Sequence, residues 1–225
     1  MKALAIDSST PRISFAAFNG NLKASFIMDA QLRQSEKLVP SIEYVLKQAE
    51  LEIKDLEFLV IATGPGSFTG LRLGFSALKA IQMATNCPLY GVPTLKAYQN
   101  AFADFNGTVV PVLDAKKERF YVSIYRNGVQ TNVDDDLSAS DALKLIDNEE
   151  NILLCGEDAS LFKEKMLEIR PTQAYTLFNG YVCTASQLLY IGEQMHKSGA
   201  KPLNDYDGPV YIRKSEAEEN VNKRV

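Results

Sequence analysis

The sequence predicts an α/β protein of two duplicated lobes, each a mixed sheet with flanking helices, because three features recur in its two halves. A short apolar run ends at Asp7, and another ends at Asp114. In each half an alternating apolar strand and an Asn-Gly turn follow at nearly the same spacing. A later apolar run then ends in glycine, at Gly64 and at Gly156. This repeat is too long for a solenoid and fits two lobes that meet at a cleft.

In the first half, the pattern predicts an antiparallel meander followed by alternating helices and strands. Asn19-Gly20 is a typical hairpin turn between two of the strands. The continuous apolar run 58–62 indicates a strand buried on both faces, as in a parallel sheet. The predicted elements are strands over 4–6, 13–17 and 22–28, a helix capped by Ser35, a strand over 58–62, a helix from 71 to about 85, a strand over 88–92 and a helix capped by Thr94.

The second half repeats the strand, turn and helix signals. Its tail beyond Lys214 is charged and lacks apolar periodicity, so we expect it to be poorly ordered. The predicted elements are strands over 109–113, 120–124 and 152–155, a helix over 139–146, and helices around Leu161 and Leu188.

Composition places the chain among ordinary globular proteins and excludes several functional classes. Its 225 residues are 46% hydrophobic and 23% charged, enough to bury a core without disulfides or metals. The 24 basic and 28 acidic residues give a net charge of −4, which excludes a strongly basic nucleic-acid module that acts alone. The N-terminus does not resemble a signal peptide, and no apolar stretch approaches a membrane span.

Cysteine and histidine usage narrows the chemistry further. Three widely spaced cysteines without a CxxC pair indicate a reducing cytoplasm, and neither disulfides nor structural zinc. The single histidine, His196, excludes metal sites that need two histidines. We therefore expect no bound metal and no histidine-dependent active site, and the lack of an apolar span predicts no membrane association.

The first candidate site is the polar turn Asp7-Ser8-Ser9-Thr10, directly after the first strand. Its hydroxyls and backbone N–H groups suit a phosphate, and its carboxylate suits a hydrated magnesium ion. The alternative is a plain polar turn in which Asp7 bonds its own backbone. Asp114 ends the corresponding strand of the second half, so two such turns would clamp a nucleotide from both sides of the cleft. The candidate nucleotide contacts are Asp7, Ser8, Ser9, Thr10 and Asp114.

The second candidate is a loop containing Gly64, Pro65, Gly66 and Gly70, between a buried strand and a helix, where anions often bind. It is not a P-loop, because Leu71-Arg72 follows the last glycine, and its GxGxxxG spacing is not the dinucleotide fingerprint. The alternative is a tight turn whose glycines permit unusual backbone angles.

The third candidate is the second helix, whose polar residues Arg72, Ser76 and Lys79 form one narrow stripe. The rest of its surface is apolar, which is more than one contact with a sheet requires. Either another protein covers this surface or a second layer of the same chain does. Gly74 and Ala77 would let a partner helix approach closely. The predicted interface consists of Leu71, Gly74, Phe75, Ala77, Leu78 and Ile81.

Five segments resemble the bacterial TsaB (YeaZ) family: AIDSST, GPGSFTGLRLGFSALKAI, GVPTLKAY, LDAKKERFYVSIY and VYIRK. Their order and spacing cover nearly the whole chain. The family belongs to the actin/Hsp70-like superfamily (ASKHA, RNase H-like), so the resemblance implies two actin-like lobes. The first lobe would be 1–104 and would contain the interface helix. The second would be 105–213, and a late helix in it could pack back on the first lobe. A charged tail, 214–225, would follow.

The resemblance implies a non-catalytic scaffold for threonylcarbamoyl transfer to adenosine of transfer RNAs that read ANN codons. It implies a heterodimer with the subunit TsaD, joined by the small ATPase TsaE, and a homodimer when the chain is alone. Transfer RNA would be contacted only through the complex. No cofactor would be required. Whether ATP or ADP binds at the lobe cleft or at the partner interface stays open. Any binding by the candidate nucleotide contacts would be weak or vestigial.

Two departures from related sequences bear on the site. The TsaD-like branch carries two metal-binding histidines after the glycine-loop helix, whereas 92–98 contains none here. Family members often have His-Ser-Glu where this chain has Gln34-Ser35-Glu36, and we assign no role to Gln34. Two other classes stay open, an ATP-dependent small-molecule kinase and a peptidase of the same superfamily.

Overall fold

The computed structural model describes residues 1–146 and 149–213, and its first half forms a five-stranded mixed sheet. The strands are β1 (Ala3–Asp7), β2 (Arg12–Phe18), β3 (Lys23–Asp29), β4 (Phe58–Ala62) and β5 (Leu89–Val92). Their order is β3-β2-β1-β4-β5. The meander β1-β2-β3 is antiparallel, whereas β1, β4 and β5 run parallel. All five residues of β1 and of β4 are buried, as expected for strands covered on both faces.

The second half repeats this arrangement. Its strands are β6 (Thr108–Lys116), β7 (Arg119–Val122), β8 (Tyr125–Arg126), β9 (Val129–Gln130), β10 (Asp135–Leu137), β11 (Ile152–Cys155) and β12 (Thr176–Leu177). The order β10-β7-β6-β11-β12 matches that of the first sheet, with β6 antiparallel to β7 and parallel to β11. The shared order and directions confirm the predicted fold class of two α/β lobes.

The predicted strand 120–124 ends early in the structure, at Val122 in β7, and a separate short strand, β8, begins at Tyr125. β7 and β8 both pair with the long strand β6, β7 near its end and β8 near its beginning. Between them the Ile124 N–H donates to Asn132 Oδ1 at 2.6 Å instead of to a strand neighbour. The apolar alternation continues through this break, so the sequence pattern carries no sign of it.

Six helices accompany the sheets in the described residues: α1 (Gln34–Gln48), α2 (Phe68–Thr85), α3 (Thr94–Asn100), α4 (Ala139–Leu145), α5 (Ala159–Ile169) and α6 (Thr184–Lys197). α1 and α2 cover one face of the first sheet, and α4 and α5 cover one face of the second. Two predicted caps are wrong. Ser35 lies inside the first turn of α1, which follows a short 3-10 turn directly, and Thr94 is the first residue of α3 after Pro93.

The last helix of each half packs on the sheet of the other half. α6 lies on β1, β2 and β4, and α3 lies on β6. At the start of α6, Ser14 Oγ of β2 accepts a hydrogen bond from the Ala185 N–H at 2.9 Å and lies 2.9 Å from Thr184 Oγ1. At Gly192 the helix comes so close to β4 that an added Cβ would overlap Val60. Because each sheet thus depends on the other half, this helix exchange fixes the two lobes relative to each other.

A C-terminal segment, residues 203–213 and here called the strap, connects the edge of the first sheet to the second lobe. The Val210 N–H donates to Thr63 O at 2.8 Å, beside the end of β4. Farther along, the Arg213 guanidinium donates to Ala115 O in β6 at 2.6 Å. The strap is therefore a second connection between the lobes.

The predicted charged tail, 214–225, lies outside the described residues. Within the described part of the chain, no helix combines the length and the apolar character needed to cross a membrane. Cys87, Cys155 and Cys183 are free thiols.

Gly192→Ala should destabilise the protein although alanine is the better helix former, because the new methyl group would overlap Val60. We expect the free energy of unfolding to fall by about 1–3 kcal/mol, as is typical of overpacking, measured by urea denaturation. Val60→Ala should make room for the methyl group. The double variant should therefore be more stable than the sum of the two single changes.

The matched control for this test is Gly208→Ala, where an added Cβ meets no atom within 4 Å. Its stability should stay within about 0.5 kcal/mol of the wild type. Strictly additive effects of Gly192→Ala and Val60→Ala would contradict the close approach of α6 to β4.

Candidate functional site

The cleft between the lobes holds a cavity of about 580 Å³. The β1–β2 turn and the residues before α2 line it on one side, and the end of β6 and the loop before α5 line it on the other. Ser9, Thr10 and Asp114, three of the five predicted nucleotide contacts, lie on its wall. A crevice at the carboxyl ends of parallel strands is the usual ligand position in α/β proteins. Nucleotide binding there stays a prediction.

Asp7 and Ser8, the other two predicted contacts, stabilise the turn itself. Asp7 is 2% exposed, and its Oδ1 accepts a hydrogen bond from the Ser9 N–H at 2.8 Å. Ser8 is 1% exposed, and its hydroxyl donates to the Gly70 carbonyl at 2.8 Å. Neither residue lines the cavity. Both side chains are therefore bonded within the chain and set back from the cavity, and their predicted nucleotide contacts stay a prediction.

Two glycines of the predicted loop let α2 approach the β1–β2 turn. An added Cβ at Gly66 would overlap the backbone of Ser9, and one at Gly70 would overlap the carbonyl of Ser8. The Ser67 N–H donates to Ser9 O at 2.6 Å, and the Ser67 hydroxyl caps α2 by accepting from the Gly70 N–H at 3.2 Å. The glycine pattern thus serves close packing between the turn and the helix.

The other two residues of that loop, Gly64 and Pro65, contact the strap side. Gly64 has φ +112°, and an added Cβ would lie 2.6 Å from Val210 O. The Gly64–Pro65 peptide bond is cis. Both residues line a surface groove beside the strap instead of the cleft. They therefore shape the path of the chain between β4 and α2.

Gln34, which carried no predicted role, joins α1 to the β1–β2 turn. Its side-chain amide donates to Thr10 O at 2.6 Å, and the residue is 8% exposed. An added Cβ at Gly70 would also lie 2.8 Å from Gln34 Oε1. The signal was present in the sequence, because helical spacing puts Gln34 on the same buried face as Leu38 and Ile42.

The second-lobe wall of the cavity is a network of Asp114, Asp158 and Lys116. Asp158 Oδ2 accepts from the Asp114 N–H at 2.7 Å, and Lys116 Nζ donates to Asp114 Oδ2 at 2.7 Å. Burial raises the pKa of Asp158, and the hydrogen bond to Asp114 raises the pKa of Lys116. Lys116, Lys117 and Glu118 have φ of 63°, 57° and 60°, a left-handed backbone that costs roughly 1–2 kcal/mol per residue.

Carboxylates outnumber cations on the cavity wall. The carboxylates are Asp29, Asp114, Glu157 and Asp158, and the cations are Arg12 and Lys116. This balance opposes a bare phosphate and favours an anion that arrives with a divalent cation. Among the described residues, no group of three or more His, Cys, Asp and Glu side chains is arranged to hold a metal ion.

The side of α2 predicted to meet a partner is buried in its own lobe. Leu78 is 0% exposed, in a cluster with apolar residues of the first sheet and of α1. The interface predicted for this side is therefore wrong, because α1 and the sheet supply the second layer. The buried members are Leu71, Gly74, Phe75, Leu78 and Ile81, and Ala77 is half-buried.

The polar stripe of α2 holds the strap. Arg72 Nε donates to the Tyr211 hydroxyl at 3.0 Å, and the guanidinium lies 3.8 Å from the centre of the Phe68 ring. Two turns farther along the helix, Lys79 Nζ donates to Asn204 O. The strap thus covers this edge of α2.

A third side of α2, here called the outer face, remains exposed and carries no charge. It consists of Thr69, Leu73, Ser76, Ala80, Met83 and Ala84. Met83 is 82% exposed, whereas Leu73 is half-buried. These residues recur every three or four positions, which is the spacing of one helix face. The exposed apolar side of α2 is therefore this face, opposite the predicted one.

Comparison with known proteins identifies the family. Residues 28–202 match the family model described as TsaD, tRNA N6-adenosine threonylcarbamoyltransferase. The chain belongs to this family. The tRNA threonylcarbamoyladenosine biosynthesis protein TsaB of Bacillus subtilis is 26% identical, over 97% of this chain and 96% of that protein. The protein of the same name from Escherichia coli is 25% identical, over 96% of both. These matches place the chain in the TsaB (YeaZ) branch.

The TsaB fold is also seen in a solved structure. YeaZ from Pseudomonas aeruginosa superimposes with a TM-score of 0.79 at 20% identity, over 93% of this chain and 99% of that chain. The fold predicted from the sequence, two α/β lobes of a TsaB (YeaZ) family member, is thus confirmed.

Asp158→Asn should stabilise the protein at neutral pH, because it removes a carboxylate that is costly to bury. In the unfolded chain Asp158 ionises at its ordinary pKa, whereas burial raises this pKa in the folded protein. The ionised group therefore lowers stability above the folded-state pKa, and the cost disappears below the unfolded-state pKa. The advantage of the variant should shrink as the pH falls toward about 4, measured by thermal unfolding.

The exposed Asp205 provides the control, since Asp205→Asn removes a carboxylate that is not buried and should leave stability at neutral pH close to that of the wild type. An Asp158→Asn variant less stable than wild type at neutral pH would mean that the hydrogen bond from Asp114 outweighs the cost of burial.

Proposed function

We propose that this chain is a non-catalytic scaffold in the biosynthesis of threonylcarbamoyladenosine in transfer RNA. It supports a TsaD-type subunit in threonylcarbamoyl transfer to adenosine of transfer RNAs that read ANN codons, with TsaE as a further partner, in the cytoplasm. The family match and the names of the curated relatives support the pathway. The scaffold role needs no cofactor, and transfer RNA is reached through the complex.

The observation that carries the scaffold role is the outer face of α2. It runs along the helix without a charged residue, although an exposed helix face is normally polar. Its small side chains, such as Ser76 and Ala80, allow another helix to approach closely. Arg72 and Lys79 are engaged by the strap beside it, so long charged side chains are held away from the face.

The partner we infer for the outer face is a TsaD-type subunit. The matched residues 28–202 include α2, so a TsaD-type chain has a corresponding helix that would pack on this one. Two related chains would then meet through equivalent faces, as in a twofold dimer. A second copy of this chain takes the same place when the TsaD-type subunit is absent.

The environment of His196 supports a non-catalytic role. Its ring stacks on Phe58 with centroids 4.7 Å apart, and its Nδ1 lies 3.1 Å from the Tyr90 hydroxyl. It does not line the cleft, whereas a serine peptidase needs a base beside its nucleophile. A kinase needs a catalytic carboxylate in the cleft, and the two carboxylates predicted as nucleotide contacts are bonded internally, Asp7 to its own turn and Asp114 to Lys116.

Ala80→Arg should abolish partner binding without unfolding the chain. The guanidinium is exposed in the free protein but would be buried without a counter-ion on association, at a cost of about 2–5 kcal/mol. We expect the dissociation constant for the TsaD-type subunit to rise at least roughly 30-fold. Modification of transfer RNA by the reconstituted proteins should fall accordingly. Calorimetry measures the affinity, and melting by circular dichroism reports the fold.

Ala103→Arg is the matched control, since Ala103 is exposed in the turns after α3, a helix that packs on α6 and β6. It should bind like wild type. Leu78→Glu places a charge on the buried side and should instead unfold the protein. An Ala80→Arg variant that is folded and still binds would refute the assignment of the outer face.

A further inference from the structure

One ion pair separates two cavities at the lobe cleft. The larger cavity, of about 580 Å³, lies between the β1–β2 turn and the end of β6. The smaller, of about 230 Å³, lies between β2, the loop before α5 and the segment 178–182. Among the described residues, only Arg12 and Glu157 line both. Their side chains form an ion pair, which therefore lies where the two cavities adjoin and is here called the wall.

The two members of this wall come from different lobes. Arg12 begins β2 of the first lobe, and Glu157 follows β11 of the second. The side chains are 28% and 17% exposed, so solvent screens the pair only partly. The Arg12 guanidinium also lies 4.2 Å from the centre of the Tyr181 ring, which holds it in place from the other side. The pair is thus a defined cross-lobe contact.

The larger cavity has further features of a phosphate site. Ser9 is 1% exposed, and its hydroxyl makes no hydrogen bond among the described residues, although it belongs to a residue on the cavity wall. Gly66 and Ser67, directly before the 18-residue helix α2, line the same wall. A helix N-terminus and a hydroxyl donor both suit an anion. These anion-binding groups still lack a positively charged side chain that is free to bind the anion.

Arg12 is the side chain placed to supply that cation. A guanidinium binds carboxylate and phosphate oxygens through the same forked geometry. In this structure the carboxylate of Glu157 occupies the guanidinium as an anionic ligand would. It also adds to the negative charge contributed by Asp114 and Asp158.

We propose that Glu157 is an internal anionic ligand of Arg12, which divides the cleft and excludes phosphate-bearing ligands. The ligand class excluded is a diphosphate or triphosphate group with its magnesium ion, probed here with ADP and pyrophosphate. Its phosphates would lie against Ser9, the start of α2 and Arg12. Release of Glu157 joins the two cavities into one space within the range of small-molecule sites, roughly 300–1,000 Å³. The proposal is independent of the scaffold role, since none of these residues lies on the outer face.

Two variants that break the same ion pair in opposite ways test this proposal. Glu157→Gln frees the guanidinium and removes one negative charge, whereas Arg12→Gln leaves the carboxylate and removes the cation. We titrate ADP with magnesium by calorimetry. Glu157→Gln should bind at least about tenfold more tightly than wild type. Arg12→Gln should bind no more tightly than wild type, and the double variant should lose the gain.

Further titrations identify which part of the ligand is bound, and a second variant controls for misfolding. Magnesium pyrophosphate should show the same ranking as ADP, and adenosine should not distinguish Glu157→Gln from wild type. Glu157→Ala removes the same carboxylate and should repeat the gain if the glutamine variant melts early. Equal affinities of wild type and both Glu157 variants, or a gain in Arg12→Gln as large as in Glu157→Gln, would overturn the proposal.

Discussion

The exchange of the last helices between the two sheets is the constraint on which the rest of the structure depends. A lobe with helices on only one face would expose the other face of its sheet, yet β1 and β4 are buried throughout. α6 covers that face in the first lobe and α3 in the second, so neither sheet is complete without the other half of the chain. The position of the cleft follows, because both sheets are held with the β1–β2 turn facing the end of β6.

The second constraint is the close approach of α2 to the β1–β2 turn, which explains why a motif typical of ligand binding is mainly structural here. Hydrogen bonds join Ser8 to Gly70, Ser67 to Ser9, and Gln34 to Thr10. The turn therefore connects the start of α1 with the start of α2. Small hydroxyl side chains and glycines are required because the backbone of the turn and the backbone at the start of α2 nearly touch. The turn is therefore rigid, and only part of it faces the cavity.

The sequence predicted the two duplicated lobes because apolar runs, turns and glycines recur in both halves, and these are local signals. It did not predict which side of α2 is buried, because helical periodicity alone cannot separate contact with the chain's own sheet from contact with a partner. Leu78 and Ala80 are both apolar, and only the tertiary fold places one inside and the other outside. Nor could the sequence predict the pairing of Arg12 with Glu157, since it joins elements of different lobes.

The cleft and the outer face of α2 are parts of one mechanical unit. The hydrogen bonds from Ser8 and Ser67 connect the cavity wall to the first turn of the helix, and the strap holds the helix along its side through Arg72 and Lys79. A movement of the β1–β2 turn would therefore displace the whole of α2, because a packed helix shifts as a rigid element. The α2 helix is therefore held in one position by the turn and the strap. On the proposed scaffold role, less order would then have to be gained when a partner binds its outer face.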